Sequence, residues 1–290
     1  MVKSKLIKKS KVKSKSKSKS IKKSKHITKK IINEVIENPT KFAKNNKINE
    51  VVRFLKHCSE KYCKTGEEVV SDDMFDIIKD ILEERDPENT FLSQVGAPMN
   101  NKDKVDLPYP MASQDKVKPG STKLARWSSK YEGPYAISDK LDGVSAQLIK
   151  YTNGDVKLYT RGDATEGKDI SHLVNKLVSK ESIKNLPKGT SLRGEIIISR
   201  KNYPKLNDKY ANGRAAMSGL TGADDGDYDE ISAKYAELVI YGMIFPTVDN
   251  YITRMKKIKK FGFATVWQKI LNNTDDDFNF ESELKSILLD

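Results

Sequence analysis

The sequence predicts an α+β fold with antiparallel sheets, preceded by a small helical module and a disordered Lys/Ser tail. Three observations carry that prediction. Residues 1–30 run as alternating Lys and Ser with no acidic residue. Residues 31–90 place apolar side chains at helical spacing. From about residue 95 onward, short alternating segments and an Asn153-Gly154 hairpin signal are interleaved with helical stretches. The boundaries follow as 1–30 for the tail, 31–95 for the helical module and 96–290 for the α+β domain.

The tail carries the charge. The 290-residue chain has a formal net charge of +13, and 14 of its lysines lie in residues 1–30. The remaining 39 basic residues face 40 acidic ones, a net of −1 over residues 31–290. The fold itself is therefore not a histone-like polycation. The Lys/Ser run cannot bury apolar surface and its charges repel, so it is read as disordered. Such a run attracts phosphate backbones without sequence preference. Nuclear import is another reading of it, and phosphorylation of the alternating serines would cancel its charge.

In the helical module Val51, Val52, Leu55 and Cys58 recur at helical spacing. Ser71 is placed to cap a second helix whose first turn holds Asp72 and Asp73. Phe75, Ile78 and Leu82 form its buried stripe, and Pro87 ends it. A module this small buries little by itself and is expected to dock on another surface. Cys58, Cys63 and the nearby His57 are read as ordinary packing, because a closed zinc site needs four ligands. The few thiols fit a reducing, intracellular compartment. No stretch reaches the roughly 18 apolar residues of a membrane span, and the N-terminus has no apolar core of a secretory signal.

In the α+β domain, strands are expected over 136–151, 156–160, 191–199 and 237–245, and helices over 169–179, 251–260 and 281–289. Asp224-Asp225-Gly226-Asp227 reads as a loop, and Lys256, Lys257, Lys259 and Lys260 as an exposed helix face.

Chemistry centres on Lys140-Leu141-Asp142-Gly143. On a continuous strand, Lys140 and Asp142 would project from the same face, and Gly143 would permit a close backbone approach. One reading is an exposed ion pair worth about 0–1 kcal/mol. The other is a nucleophilic amine tuned by its neighbours. Asp72, Phe75 and Asp76 lie at i, i+3 and i+4 and share one helix face. With Tyr62, they offer an aromatic ring and carboxylates to a cationic ring and its ribose hydroxyls; a capping acid beside a core Phe is the plainer reading.

The Lys-x-Asp-Gly segment resembles the active-site motif of covalent nucleotidyltransferases, and its surroundings resemble the NAD-dependent DNA ligases. The similarity includes Gln94-Val95-Gly96-Ala97-Pro98, Pro110-Met111-Ala112-Ser113, the loop from Thr160-Arg161-Gly162-Asp163 to Gly167, Arg193-Gly194-Glu195, Asn212-Gly213-Arg214-Ala215-Ala216 and Tyr241-Gly242. It runs from about residue 45 onward. This sequence departs from the family pattern at five positions: Cys63 follows Tyr62 in place of His, Phe75 replaces Tyr, Ser138 replaces Glu, Ala164 replaces the second glycine of the loop, and Thr221 replaces an arginine.

The resemblance implies a nucleotidyltransferase (ATP-grasp-like ligase) adenylation domain. It implies that Lys140 attacks NAD to form a lysyl-adenylate, with Asp142 orienting it. It assigns Tyr62, Asp72, Phe75 and Asp76 to the nicotinamide mononucleotide half. Ser113 and Gln114 fall to the adenosine, Glu195 to its ribose, and Arg161 and Arg214 to phosphates. Mg²⁺ is the implied ion and nicked double-stranded DNA the implied partner, with no membrane role. The family's later lysine-bearing strands, oligonucleotide-binding barrel, four-cysteine zinc site, helix-hairpin-helix repeats and phosphopeptide-binding domain are not found. The adenylation domain is therefore expected to be C-terminally incomplete, with a second polypeptide as a candidate source of the rest. Two other readings stand beside this one: a non-catalytic or split-enzyme subunit that binds nucleic acid through its tail, and an ATP- or GTP-using RNA ligase or capping-type enzyme. The Lys-, Ile- and Asn-rich composition hints at a large DNA virus or an AT-rich bacterium, and leaves cytoplasmic and nuclear locations both open.

Overall fold

The computed structural model describes residues 27–65, 67–93, 104–114, 122–131, 133–271, 282–283 and 286–287. The tail up to residue 26 and the segment 94–98 lie outside the described residues. Of the helix expected over 281–289, residues 282–283 and 286–287 are described, and they are helical.

The N-terminal module consists of α1 (Lys29–Glu37), α2 (Pro39–Asn45), α3 (Ile48–Thr65), α4 (Asp72–Arg85) and the single turn α5 (Thr90–Ser93). It begins inside the stretch read as tail, because the Thr28 hydroxyl accepts from Ile31 N–H and caps α1. Ser71 caps α4 in the same way, accepting from Met74 N–H. Phe54, Leu55, Ile78 and Leu82 pack with Val35 and Phe42 into one core. Cys58 belongs to that core, and burial pushes its thiol up to about 12. The Arg85 guanidinium donates to the Ala43 carbonyl, tying α4 to α2.

The second part contains β1 (Lys104–Asp106), α6 (Thr122–Lys130), β2 (Tyr135–Ser138), β3 (Val144–Lys150), β4 (Val156–Thr160), β5 (Glu166–Lys168), α7 (Val174–Leu177), α8 (Lys180–Asn185), β6 (Thr190–Ile198), α9 (Gly213–Gly222), α10 (Glu230–Tyr235), β7 (Ala236–Phe245), α11 (Tyr251–Lys260) and β8 (Gln268–Leu271). The central sheet has the order β4-β3-β6-β7 and is antiparallel throughout. β1 pairs with β5, and β2 with β8, as separate two-stranded ribbons. Asn153-Gly154 turns the β3–β4 hairpin as expected, with Gly154 at φ +103°. Among the described residues no helix is long and apolar enough to cross a membrane.

Two sequence expectations are corrected. The strand read over 136–151 is broken at residues 139–143 into β2 and β3. The helix read over 169–179 is a 3₁₀ turn, Ser171–Leu173, running into one turn of α7. There Val178 becomes extended, and Ser179 starts α8 by accepting from Ser182 N–H. The apolar spacing continued past a point where a new cap reset the chain.

The two faces of the sheet differ in kind. Ala146, Leu148, Leu158, Leu192 and Ile196 point into the main core, where Met217 and Leu220 of α9 and Met255 and Ile258 of α11 meet them. The alternate positions, Ser145, Gln147, Arg193 and Glu195, therefore lie on the other face. The segment 104–114 runs over that face. Leu107 N–H donates to the Thr165 carbonyl, Met111 N–H to the Ala164 carbonyl, and Gln147 Nε2 to the Tyr109 carbonyl.

Candidate active site

Lys140 sits in the connector between β2 and β3, exposed, and not on a strand. The cause is Gly143. A Cβ there would lie 2.1 Å from the Ile196 carbonyl oxygen, so the backbone dips against β6 before β3 begins at Val144. Leu141 packs on the main core and anchors the connector from the other side. The shared face inferred from strand alternation does not hold for Lys140 and Asp142. The Asp142 carboxylate instead accepts from Arg214 Nη1 at 3.0 Å.

Arg214 comes from the first turn of α9. Asn212 caps that helix by accepting from Ala215 N–H at 2.8 Å. A cation at a helix N-terminus opposes the helix dipole, so this arginine is held where local helix energetics disfavour it. Asp142 offsets the charge on one side. On the other, the guanidinium lies 4.7 Å from the centre of the Tyr62 ring. Tyr62 belongs to α3, which packs against α9. The helical module thus docks, as expected, beside the Lys140 segment. Burial raises the Tyr62 hydroxyl above its ordinary value; Arg214 acts against that, while Asp142 and Asp72 act with it.

The remaining module residues lie at different depths. Asp72 is exposed, Phe75 is half-buried against the module's core, and Asp76 is buried. Asp72 is near enough to Tyr62 to act on its charge.

On the polar face of the sheet, Glu195 is 6% exposed and accepts from the Ser145 hydroxyl at 2.8 Å. These two residues are direct cross-strand neighbours. Burial raises the Glu195 carboxyl above the usual range, against the pull of Ser145, Arg214 and Arg161. Arg161 follows β4 and donates through Nη1 to Ser113 Oγ at 3.4 Å. Burial and the neighbouring Arg193 lower its affinity for its proton. The loop after Arg161 is tightly folded: Asp163 accepts from Thr165 N–H, the Thr165 hydroxyl and Glu166 N–H. Gly162 has φ +52° and Ala164 φ +88°. Ser113 and Gln114 are exposed at the end of the segment that crosses this face.

The structure therefore gathers Tyr62, Arg214 and Asp142 in one contact chain, and Ser113, Arg161 and Glu195 with Ser145 in the adjoining group. It also brings in residues that the sequence reading named within motifs but gave no role. Arg193 Nε donates to the Tyr241 hydroxyl at 3.1 Å, and its Nη2 to the Ala112 carbonyl at 3.0 Å. The signal was available: Arg193 is two residues before Glu195, so the two share a face of β6. Thr221, at the position of an expected arginine, is buried and donates to the Met217 carbonyl at 2.9 Å. No group of three or more His, Cys, Asp or Glu among the described residues gathers as a metal site.

The family model for the NAD-dependent DNA ligase adenylation domain matches residues 108–283, the stretch that builds the sheet and its polar face. This chain belongs to that family. Among similar proteins, the DNA ligase of Acanthamoeba polyphaga mimivirus is 36% identical over 218 residues, covering 75% of this chain and 34% of the viral protein. The DNA ligase of Pelagibacter ubique (strain HTCC1062) is 29% identical over 192 residues, 59% of this chain and 28% of that one. The DNA ligase of Wolbachia pipientis wMel is 27% identical over 242 residues, 77% of this chain and 35% of that one. The chain spans about a third of the length of these curated relatives. The adenylation-domain match includes Lys140, Asp142, Arg161, Glu195 and Arg214, whereas Tyr62, Asp72, Phe75 and Asp76 precede it.

Proposed function

We propose that this chain performs the enzyme-adenylation step of an NAD-dependent DNA ligase, as a covalent nucleotidyltransferase. Lys140 Nζ bonds to the α-phosphorus of NAD. The bond from that phosphorus to the bridging oxygen breaks, and nicotinamide mononucleotide leaves with the electron pair. The amine proton passes to water. The product is a phosphoramide-linked adenylate. The whole ligase then transfers it to the 5′-phosphate of a DNA nick, and the 3′-hydroxyl displaces AMP to seal the strand. An intracellular site of action, and nonspecific DNA attraction by the Lys/Ser tail, belong to the same reading.

The observation that carries this reading is the contact chain from Tyr62 through Arg214 to Asp142. It seats the helical module beside the Lys140 segment, where the nicotinamide end of NAD must lie. An ATP- or GTP-using enzyme has no need of such a module. The donor set fits NAD. Tyr62 supplies a ring face for the cationic nicotinamide, and exposed Asp72 supplies acceptors for ribose hydroxyls, whereas Asp76 is buried within the module. Glu195 and Ser145 form a polar pair for the adenosine ribose, while Arg161 and Arg214 supply guanidinium forks for phosphates. Among the described residues no carboxylate cage for Mg²⁺ gathers. The ion commonly rides on substrate phosphates with one or two carboxylates, and there it would neutralise phosphate charge.

The test is intact-protein mass after incubation with NAD and Mg²⁺, beside ATP and Mg²⁺, following removal of bound adenylate with excess nicotinamide mononucleotide. A gain of one adenylate from NAD, absent in Lys140→Ala, is expected. A gain from ATP instead would overturn the cofactor assignment. No gain from either would overturn autonomous adenylation.

A further inference from the structure

We infer that Arg193 is a positioning residue for the adenosine end of the substrate, acting through the segment that carries Ser113 and Gln114. The inference rests on the adenylation reading above and adds a residue to it.

Arg193 lies mid-strand in β6, on the polar face, two residues before Glu195. Its guanidinium makes two hydrogen bonds in divergent directions. Nε is held by the Tyr241 hydroxyl on the adjacent strand β7, at 3.1 Å. Nη2 reaches across to the Ala112 carbonyl, at 3.0 Å. The Tyr241 ring also lies 5.8 Å from the guanidinium carbon. Tyr241 thus fixes the fork, and the fork fixes Ala112.

The next residue is Ser113, whose hydroxyl accepts from Arg161. Upstream the segment is pinned at Tyr109 by fully buried Gln147 and at Met111 by the Ala164 carbonyl. Beyond Met111, Arg193 and Arg161 hold it to the sheet. Glu195 and the Ser113-Gln114 pair would contact one adenosine from two separate parts of the chain. Their relative position is set by a residue anchored on the same strand as Glu195. A lysine cannot replace this fork, because its ammonium is a compact point charge without the rigid plane that spans both acceptors.

This arrangement separates the two ends of NAD. Among the described residues, the Arg193 contacts are with Tyr241 and Ala112 and do not reach Tyr62 or α4. Loss of the fork should therefore weaken the adenosine half and spare the nicotinamide half.

The experiment uses the full chain, freed of adenylate, with calorimetric binding of AMP and of nicotinamide mononucleotide measured separately, alongside the NAD dependence of adenylate formation. Arg193→Met should weaken AMP by roughly tenfold or more, as expected for lost hydrogen bonds to a charged group. KM for NAD should rise by a similar factor with kcat little changed, and nicotinamide mononucleotide binding should not move. Arg193→Lys should fail to restore AMP binding. Tyr241→Phe keeps the ring and removes one acceptor, so a smaller loss of about threefold is expected; it preserves the test if Arg193→Met does not fold. Equal weakening of both halves, or a loss in kcat alone, would overturn the inference in favour of a purely structural or chemical role. Unchanged AMP binding in both variants would also overturn it. If the wild-type chain takes no adenylate from NAD, the adenylation reading fails and the inference falls with it; if the wild type adenylates and Arg193→Met keeps its KM, only the inference fails.

Discussion

Ala164 is a non-glycine residue at φ +88°. An L side chain in left-handed backbone costs about 1–2 kcal/mol, and glycine's extra freedom in the unfolded chain returns about 0.5–1 of that. Ala164→Gly should therefore stabilise the protein by about 0.5–1 kcal/mol, read as a raised midpoint in urea with an unchanged slope. A lower midpoint would show that the loop is not strained. Glu195 makes the opposite point. Burial raises its carboxyl, so the folded state holds that proton more tightly than the unfolded chain, whose ordinary value is 4.5. Its contribution to stability is complete below 4.5 and is lost as pH rises through the folded value. Above the folded value the ionised, buried group is a burden to the fold. Glu195→Gln leaves Ser145 an acceptor and removes the charge, so melting at pH 7 should rise while adenylation falls. The gain should shrink towards pH 4; a gain independent of pH would rule out the charge as its cause.

At the scale of elements, α9 carries the site at one end and is secured at the other. Lys168 Nζ donates to the Gly222 carbonyl at 2.7 Å and the Ala223 carbonyl at 3.1 Å, and pairs with Asp224 at 2.9 Å. A cation on the last carbonyls of a helix satisfies orphan acceptors and complements the dipole. Lys168→Met should cost about 1–2 kcal/mol, measured by chemical denaturation, with the affinity for AMP retained. The elements themselves were readable where local signals decide them. β4 and α11 fall where alternation and helical spacing placed them, and Asn153-Gly154 turns the hairpin. The break at 139–143 was not readable, because it depends on Gly143 meeting the carbonyl of Ile196, a residue distant in sequence. The same holds for the site. Lys140, Asp142, Arg161, Glu195 and Arg214 were legible as motif residues, whereas the Arg214–Tyr62 contact and the Arg193 fork arise from tertiary packing.

For the whole molecule, the proposed reading has the module core and the main core act on one dinucleotide. The module and the sheet domain meet where α3 packs on α9, with Arg214 between the Tyr62 ring and Asp142. If Tyr62 offers its ring to the nicotinamide cation, the module's share of NAD binding is separable from the sheet's share. Tyr62→Ala should weaken nicotinamide mononucleotide by about tenfold, the scale of a partly desolvated cation–π contact, and leave AMP binding intact. Tyr62→Phe keeps the ring and should bind nearly as wild type. Together with Arg193→Met this forms a double dissociation, one variant losing each half of the substrate. Double-mutant effects on NAD should then add, since the two side chains share no partner. If Tyr62→Ala weakens AMP as strongly as nicotinamide mononucleotide, the ring serves to seat the module on Arg214, and the nicotinamide contact must come from α4, where Asp72 is exposed and Phe75 half-buried.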